Sequence, residues 1–462
     1  LKGMEYISTR NSKKIFSFKD VFLNGLAPDG GLFVPKDIPI YTSVELQKLK
    51  KLSYNELAIE IISKFCKEEF DDLEIKEIVN NSYKNFRVKN TVEIKKIEGI
   101  SLLELFHGPT LAFKDIAMQI IGNMYEKILK KNNLKINVVV ATSGDTGAAA
   151  INAIKDRNSM KIFVLHPENK ISEVQRKFMT TVNSKNVFNI AVDSNFDECQ
   201  RLIKLMFADK DFSNSINMSG VNSINWVRIA VQIIYYFFAY FRIAGKEEKV
   251  NFSVPTGNFG NVYAGYVAKK MGLPINKLII ATNSNDILKR AVTTGVYKPT
   301  KVEHTVSPSM DIQVASNFER LIFDLCDRDS LKITRLMNDL EKYGEFKLSK
   351  NYLEKIKENF ISESLSENET KSEIRKIYKK EKILLDPHTA VATGIISKLS
   401  IEGNVIALAT AHPAKFPDMV VKETNIKPEL PDNLKNILTK KENYKRLSNN
   451  LKEIQNYILE KI

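Results

Sequence analysis

Two stretches of this chain alternate between short apolar runs and glycine-rich turns that open helix-like segments. The first extends from Lys135 to Pro167 and the second from Lys249 to Asn283, and one more apolar run follows at 404–410. Strands that alternate with helices pair in parallel, because each crossover helix returns the chain to the same end of the sheet. The sequence therefore predicts an α/β protein with parallel sheets, and its 462 residues suffice for two or three domains.

Lys114 stands at the point where a loop becomes a helix. The segment FHGPTLAFKD at 106–115 holds a Gly-Pro turn, and a helix-like run follows it. Phe113, Ile116 and Ala117 flank the lysine and can shield it from water, which would lower the pKa of its amine and favour Schiff-base chemistry. A solvated lysine near a helix start is the ordinary alternative, because lysines are rarely buried.

The loop TGNFGN at Thr256–Asn261 lies between a predicted strand and a predicted helix. Glycines let a backbone approach an anion closely, and the amide groups at a helix start point toward it. The spacing matches neither the G-x-x-x-x-G-K-S/T nucleotide loop nor the G-x-G-x-x-G dinucleotide loop. The loop predicts a phosphate cradle, and a plain structural turn is the alternative.

A second loop, TSGDTG at Thr142–Gly147, has the same placement after a predicted strand. Ser143, Thr146 and the local amide groups can bind a carboxylate through charge-assisted hydrogen bonds. A second anion site is therefore expected here. From the residues alone, Asp145 in this loop would be an ordinary helix N-cap.

The net charge of +14 leaves nucleic-acid binding open at first sight. The lysines are scattered among Asn, Ile and Glu and form no recognition motif, so a lysine-rich composition is the better explanation. We expect no nucleic-acid partner. A positive field would also help an anionic substrate to reach its site.

The three cysteines stand far apart and show neither disulfide nor zinc spacing, which favours a reducing compartment and a cytoplasmic location. The five histidines are equally dispersed, so no metal site is expected. The most apolar run, Ile229–Phe241, is too short for a membrane span and lies between two arginines. We interpret it as a buried helix and expect no membrane partner.

Five segments, in this order along the chain, resemble the threonine synthase family of fold-type-II pyridoxal-phosphate enzymes, which are related to the tryptophan synthase β subunit. Together they extend from residue 5 to about 418, and the resemblance is to the bacterial and fungal branch. The segments are ISTRN with GLAPDGGLFVP, FHGPTLAFKD, VATSGDTGAAA, SVPTGNFGNVYAGYVAKKMGLP, and DPHTAVATG with LATAHPAKFP.

The resemblance implies the fold-type-II α/β fold and a division into domains. The interval 311–382 is rich in lysine and glutamate and lacks such motifs, so we expect it to be a helical insertion. The expected parts are an amino-terminal domain at 4–95, a large cofactor-binding domain at 96–125 and 225–420 including that insertion, a smaller α/β domain at 126–224, and a carboxyl-terminal helical extension at 421–462.

The resemblance also implies the cofactor, pyridoxal phosphate, and the residues that bind it. Lys114 would hold the cofactor as a Schiff base and act as the catalytic residue, and Thr410 would bond the pyridine nitrogen. The alternative to an N-cap role for Asp145 is a contact with this cofactor. The phosphate loop would comprise Gly257, Asn258, Phe259, Gly260 and Asn261.

The substrate implied by the resemblance is both an amino acid and a phosphate ester. Its carboxylate would bind the loop of Thr142, Ser143, Gly144, Asp145 and Thr146. Its phosphate would bind Arg228, which suits a phosphate in bidentate fashion, with help from Asn222, Asn225 and Lys415. Structural roles for Arg228 at a helix end and for Lys415 remain open, and the DPHTA motif at 386–390 has no assigned role.

The reaction implied is that of threonine synthase, in which O-phosphohomoserine and water give L-threonine and phosphate in amino-acid biosynthesis. Lys114 would move protons at the α and β carbons. The first alternative is a related phospholyase that releases 2-ketobutyrate, and the second is a non-catalytic binding descendant. Relatives occur as monomers and homodimers, so either assembly is expected.

Overall fold

The computed structural model describes residues 3–97, 99–245 and 248–462. Its amino-terminal part is an antiparallel sheet of order β2-β1-β3 followed by helices. Each of these helices begins at a capping box, in which the N-cap side chain and the residue three positions later satisfy each other's backbone amide groups. The elements are β1 (Tyr6–Ser8), β2 (Asn11–Phe16), α1 (Phe18–Asn24), β3 (Phe33–Pro35), α2 (Ser43–Leu49), α3 (Tyr54–Cys66) and α4 (Asp72–Tyr83).

An antiparallel hairpin of β4 (Glu93–Ile97) and β5 (Ile100–Glu104) follows. A loop then leads into α5 (Lys114–Lys131), so Lys114 is the first residue of that helix. The predicted change from loop to helix at this lysine is confirmed.

The next part is a small sheet of order β16-β8-β7-β6-β9, in which all neighbouring strands are parallel and β16 is Lys445–Leu447 near the end of the chain. Strand β6 is a nearly continuous apolar run, as is typical of a parallel strand covered on both faces. The predicted strand, turn, helix and strand are thus confirmed. The elements are β6 (Ile136–Ala141), α6 (Asp145–Ile154), β7 (Met160–Pro167), α7 (Glu173–Thr180), β8 (Val187–Val192), α8 (Phe196–Ala208), α9 (Lys210–Ser215) and β9 (Met218–Ser219).

Helix α10 (Trp226–Ile243) contains the most apolar run of the chain. Every residue from Trp226 to Phe241 is buried, and the helix packs against α3, α5 and the later helix α11 (Gly260–Lys270). The predicted buried helix is confirmed. Within the described ranges, no helix combines the length and hydrophobicity that a membrane crossing requires.

The large sheet has the order β14-β11-β10-β15-β5-β4. Its strands are parallel except for β4, which is antiparallel to β5. Strands β5, β15 and β10 are therefore neighbours, and their carboxyl ends lie at one edge. The later strands are β10 (Val250–Pro255), β11 (Ile275–Thr282), β14 (Phe360–Ser364) and β15 (Val405–Ala409).

The helix-prone interval after β11 is not helical throughout, which corrects the expectation for 311–382. Strand β14 lies inside it and joins the large sheet beside β11. Only Phe360 of this edge strand is buried, so its sequence lacks the apolar run of a central strand. The other elements are α12 (Ile287–Thr294), β12 (Val296–Tyr297), α13 (Phe318–Leu325), α14 (Ser330–Tyr343), β13 (Phe346–Lys347), α15 (Lys350–Asn359) and α16 (Glu367–Glu381).

The carboxyl-terminal segment likewise contains more than helices. Strand β16 (Lys445–Leu447) pairs with β8, so the end of the chain extends the small sheet. A strand of three residues between polar turns gives no periodic signal, and the expectation of a helical extension at 421–462 missed it. The remaining helices are α17 (Pro387–Leu399), α18 (Pro417–Thr424) and α19 (Leu451–Lys461).

Candidate active site

Loops from three neighbouring strands meet at the carboxyl edge of the large sheet, which is where open α/β sheets bind ligands. The loop after β5 and the loop after β15 are directly paired. The Phe113 amide donates to the Thr410 carbonyl oxygen at 2.9 Å, and the His412 amide donates to the Leu111 carbonyl oxygen at 3.0 Å. Lys114 and Thr410, which are far apart in sequence, are therefore held side by side by their backbones.

The loop that presents Lys114 is fixed by buried polar contacts. The Asp115 carboxylate accepts bonds from the Thr110 amide at 2.7 Å and from the Thr110 hydroxyl at 2.6 Å. The Arg87 guanidinium donates to two carbonyl groups of the same loop, each at 2.7 Å. These contacts leave the start of α5 little freedom to move.

The Lys114 side chain is half-buried, and its amine makes no hydrogen bond or ion pair with any described residue. Burial lowers the pKa of this amine to about 8, against the opposing charge of Asp145. The positive charges of Arg228 and Lys415 contribute to the lowering. The amine is therefore uncommitted and partly neutral near pH 8, as a nucleophile or base must be.

The loop before α11 has the geometry of an anion cradle. Phe259 occupies the N-cap position with φ of 71°, and its side chain is buried against Phe318 and Phe360. The Asn258 side chain accepts a bond from the Gly260 amide at 3.0 Å. The Phe259 ring therefore belongs to the core, and only its backbone amide remains for a ligand.

Two further residues of this loop show how tightly it is built. A side chain at Gly257 would place its Cβ 2.8 Å from the Ser309 carbonyl oxygen, which only glycine avoids. The Asn261 carbonyl group accepts bonds from the hydroxyls of Tyr235 and Tyr236, whereas its amide nitrogen is buried with no partner among the described residues. An unsatisfied donor at the start of a helix suits an anionic group such as a phosphate.

The loop before α6 forms a second cradle. The Thr142 hydroxyl oxygen accepts bonds from the Gly144 and Gly147 amides, both at 2.9 Å, which fixes the turn. The Ser143 and Thr146 hydroxyls are half-buried and make no hydrogen bond to the part of the chain that the structure describes. Thr142 thus shapes the loop, and Ser143 and Thr146 are available to a ligand.

Asp145 is not the N-cap of α6, which corrects one of the two alternatives for this residue. Gly144 takes that position, and Asp145 is the first residue of the helix. Its side chain makes no capping hydrogen bond. Its carboxylate instead accepts bonds from Gln175 Nε2 at 3.1 Å and from Ser309 Oγ at 3.3 Å. It also lies 2.6 Å from Lys415 Nζ as an ion pair.

This ion pair is almost completely buried, and Asp145 is 5% exposed. The Lys415 side chain is 0% exposed, and its ammonium group lies 5.4 Å from the centre of the Phe178 ring. Burial alone would raise the pKa of Asp145, but the charges of Lys415 and Lys114 hold it well below its usual range. Asp145 is therefore ionised at every pH at which the protein is expected to work.

Arg228 lies in the first turn of α10 and is buried. One of its nitrogens donates to the Val221 carbonyl oxygen at 3.3 Å, and its Nε is buried with no partner among the described residues. Burial lowers the pKa of the guanidinium to about 10, so it stays charged. A buried cation with an unfilled donor calls for an anion.

The two asparagines expected beside Arg228 behave differently. Asn225 is the N-cap of α10, where its side chain accepts from the Val227 amide at 3.0 Å and donates to the Phe22 carbonyl oxygen at 3.0 Å. Asn222 is exposed. The hydrogen bonds of the Asn225 side chain are thus both made within the protein. Its role as a helix N-cap could be predicted from the sequence, because asparagine is a favoured N-cap residue and here directly precedes an apolar helix.

Sequence reasoning missed the partners of Asp145 and the role of the DPHTA motif. Asp386 is the N-cap of α17, and its carboxylate lies 2.7 Å from His388 Nδ1. The Ser309 amide donates to His388 Nε2 at 3.2 Å, which leaves the proton on Nδ1. The motif therefore fixes the loop that contains Ser309, and the hydroxyl of Ser309 in turn donates to Asp145. Gln175, the other missed partner, has no signal in the sequence beyond its place in a capping box.

Comparison with known families gives matches along most of the chain. Residues 5–83 match the threonine synthase N terminus, and residues 389–458 match the threonine synthase C-terminal model. Residues 92–339, more than half of the chain, match the model for pyridoxal-phosphate dependent enzymes.

Individual proteins are similar over their full lengths. A threonine synthase of Pseudomonas aeruginosa is 40% identical, with 98% of both chains covered. A threonine synthase of Saccharomyces cerevisiae is 42% identical and covers 95% of this chain and 94% of its own. The crystal structure of pyridoxal-phosphate-bound threonine synthase from Brucella melitensis is 41% identical, with a TM-score of 0.96 and 99% of both chains covered.

Proposed function

The chain belongs to the threonine synthase family of pyridoxal-phosphate-dependent enzymes, and we propose that it converts O-phospho-L-homoserine and water to L-threonine and phosphate. The family and the fold-type-II class expected from the sequence motifs are confirmed. One observation carries the proposal: an uncommitted amine, Lys114, is surrounded by two anion cradles and two buried cations, Arg228 and Lys415. Such a site suits a substrate with both a carboxylate and a phosphate.

The cofactor of this family is pyridoxal phosphate, and the residues of the site fit it. We propose that Lys114 binds its aldehyde covalently, that the Thr410 hydroxyl bonds the ring nitrogen, and that the loop of Gly257 to Asn261 holds its phosphate. The unsatisfied Asn261 amide and the first amide groups of α11 support this assignment. When bound, the cofactor supplies an electron sink that stabilises carbanions on the substrate.

The substrate would lie between the two sheets. Its carboxylate would accept hydrogen bonds from Ser143 and Thr146 at the start of α6, and its phosphate would pair with Arg228 and Lys415. The committed hydrogen bonds of Asn225 support a role in positioning Arg228, and the role of Asn222 in phosphate binding stays a prediction.

The Lys114 amine is the group best placed to move protons. Removing a proton from the substrate's α carbon requires a neutral base, and the lowered pKa provides one near physiological pH. The same amine would also take a proton from the β carbon, and phosphate would leave from the γ carbon. The γ carbon would then gain a proton, water would add at the β carbon, and a proton would return to the α carbon.

Product analysis tests the proposed reaction directly. We expect the protein loaded with pyridoxal phosphate to release L-threonine and phosphate from O-phosphohomoserine in equal amounts. Phosphate with 2-ketobutyrate instead would identify a phospholyase. A cofactor absorbance band without any turnover would indicate another substrate or a non-catalytic protein.

The pH dependence of cofactor loading tests the environment of Lys114. Because the neutral amine attacks the aldehyde, the loading rate of the cofactor-free protein should rise as pH increases through about 8 and then level off. An exposed lysine would show this rise about two pH units higher. Stopped-flow absorbance after mixing with pyridoxal phosphate measures the rate, and a midpoint near pH 10 would contradict the assignment.

The location and assembly of the protein are further parts of the proposal. We propose a cytoplasmic protein that is a monomer or a homodimer and has no nucleic-acid or membrane partner. Cys66, Cys199 and Cys326 are free and buried, which is compatible with a reducing compartment.

A further inference from the structure

The Asp145 carboxylate joins three segments that are far apart in sequence. Gln175 reaches it from the start of α7, Ser309 from the loop after β12, and Lys415 from the turn after β15. Gln175 lies on a helix between two strands of the small sheet, Ser309 lies between strands β11 and β14 of the large sheet in sequence, and Lys415 follows its strand β15. Asp145 thus contacts residues from both halves of the site.

Ser309 is held rigidly in place before it reaches Asp145. Its backbone amide is bound by His388, and the loop on either side is fixed by a polar network. In that network, Asn283 donates to Asp311 at 2.9 Å and Thr305 donates to the same carboxylate at 2.6 Å. A rigid partner restricts the carboxylate to one position.

The Lys415 ammonium group has more donors than the protein uses. It carries three N–H groups, and its one polar contact among the described residues is the Asp145 carboxylate. Because the group is fully buried, unfilled donors are costly unless an anion completes them. The single contact with Asp145 therefore leaves this ammonium group incompletely hydrogen-bonded among the described residues.

We propose that Asp145 is a positioning residue whose carboxylate holds the Lys415 ammonium group where the substrate's phosphate docks. This inference rests on the proposed function, since it requires a phosphate-bearing substrate. Asp145 itself touches neither the phosphate nor the reacting carbons and acts only through Lys415. Ser309, whose amide is bound by His388, fixes the orientation of the Asp145 carboxylate through its hydroxyl.

A double-mutant cycle tests whether Asp145 acts through Lys415. The variants are Asp145→Asn, Lys415→Met and the combination, each loaded with pyridoxal phosphate, and the probe is inorganic phosphate titrated by calorimetry. Each single change should weaken phosphate binding about tenfold or more, and the combination should be no weaker than Lys415→Met alone. Independent, additive losses would overturn the inference, as would an unchanged affinity in Asp145→Asn.

Steady-state kinetics gives a second readout. Asp145→Asn should raise KM for O-phosphohomoserine by more than it lowers kcat, because a positioning role for a phosphate ligand acts mainly on binding. A fall in kcat alone would overturn the inference. The matched control is Asp324→Asn, which removes a carboxylate that pairs with Arg328 outside the site. The two aspartates are similarly buried, since Asp324 is 6% exposed and Asp145 is 5% exposed. Its phosphate affinity should equal that of the parent protein.

A milder variant keeps the test decisive if Asp145→Asn fails to fold. Ser309→Ala removes one hydrogen bond from the carboxylate and leaves its charge, so phosphate affinity should fall about threefold. In the Lys415→Met background the same change should have no effect. If the parent protein neither binds phosphate nor turns over O-phosphohomoserine, the proposed function itself fails. If it does both while Ser309→Ala and Asp145→Asn bind phosphate normally, only the role of Asp145 is refuted.

Discussion

Replacing Lys114 with alanine should reduce threonine formation by about 10³-fold or more. This one amine is expected both to retain the cofactor and to move protons at the substrate, so the change removes two functions together. The loss should persist when pyridoxal phosphate is present in excess, because added cofactor restores binding without restoring the base. The measurement is the initial rate of threonine and phosphate release.

The matched control for this variant is Lys269→Ala. Lys269 is also half-buried and has its pKa lowered by burial, but it lies in the last turn of α11, at the opposite end from the cofactor loop, and its amine donates to the Asn276 carbonyl oxygen. Activity should stay within about twofold of the parent protein, as for changes away from a site. Borohydride reduction and mass mapping should locate the cofactor on Lys114. A Lys114→Ala enzyme within tenfold of the parent rate would refute the assignment.

Local patterns predicted the parts of the fold that local sequence controls. Both strand, turn and helix units and the start of α5 at Lys114 lie where the sequence indicated, because apolar runs and glycine turns determine structure locally. The buried α10 was equally predictable from its length and its apolar faces. The edge strands β14 and β16 were not, because short polar strands take their conformation from a neighbour rather than from their own sequence.

The site itself divides along the same line. The glycine loops and the flanked lysine are local features, and the family motifs supplied roles that the residues alone left open. Asp145 contacts Ser309, which is 164 residues later in the sequence, and Lys415, which is 270 residues later (415 minus 145). A local sequence pattern cannot predict a contact between residues so far apart. The helix cap formed by Asn225 was visible in principle, since an asparagine directly precedes an apolar helix.

Replacing Arg228 with alanine should raise KM for O-phosphohomoserine and lower kcat/KM by about 100-fold. The guanidinium is buried, charged and incompletely hydrogen-bonded, and its described contacts include no protein carboxylate. An anionic ligand would therefore complete its hydrogen bonds and neutralise its charge. Arg228→Lys keeps the charge but loses the two-pronged geometry that matches phosphate oxygens, and about a tenfold loss is expected. Steady-state kinetics and phosphate titration measure both effects.

The opposite end of the same helix provides the control that separates binding from structure. Arg242 also donates to backbone carbonyl groups, at 3.1 Å to Lys50 and 3.0 Å to Leu52, but it is exposed and lies in the last turn of α10. Arg242→Ala should leave phosphate affinity unchanged. If Arg228→Ala lowers only the melting temperature and leaves KM unchanged, Arg228 merely supports α10, which is the structural alternative that the sequence left open. A loss of phosphate affinity at an unchanged melting temperature would instead place the substrate's phosphate at the amino-terminal end of α10.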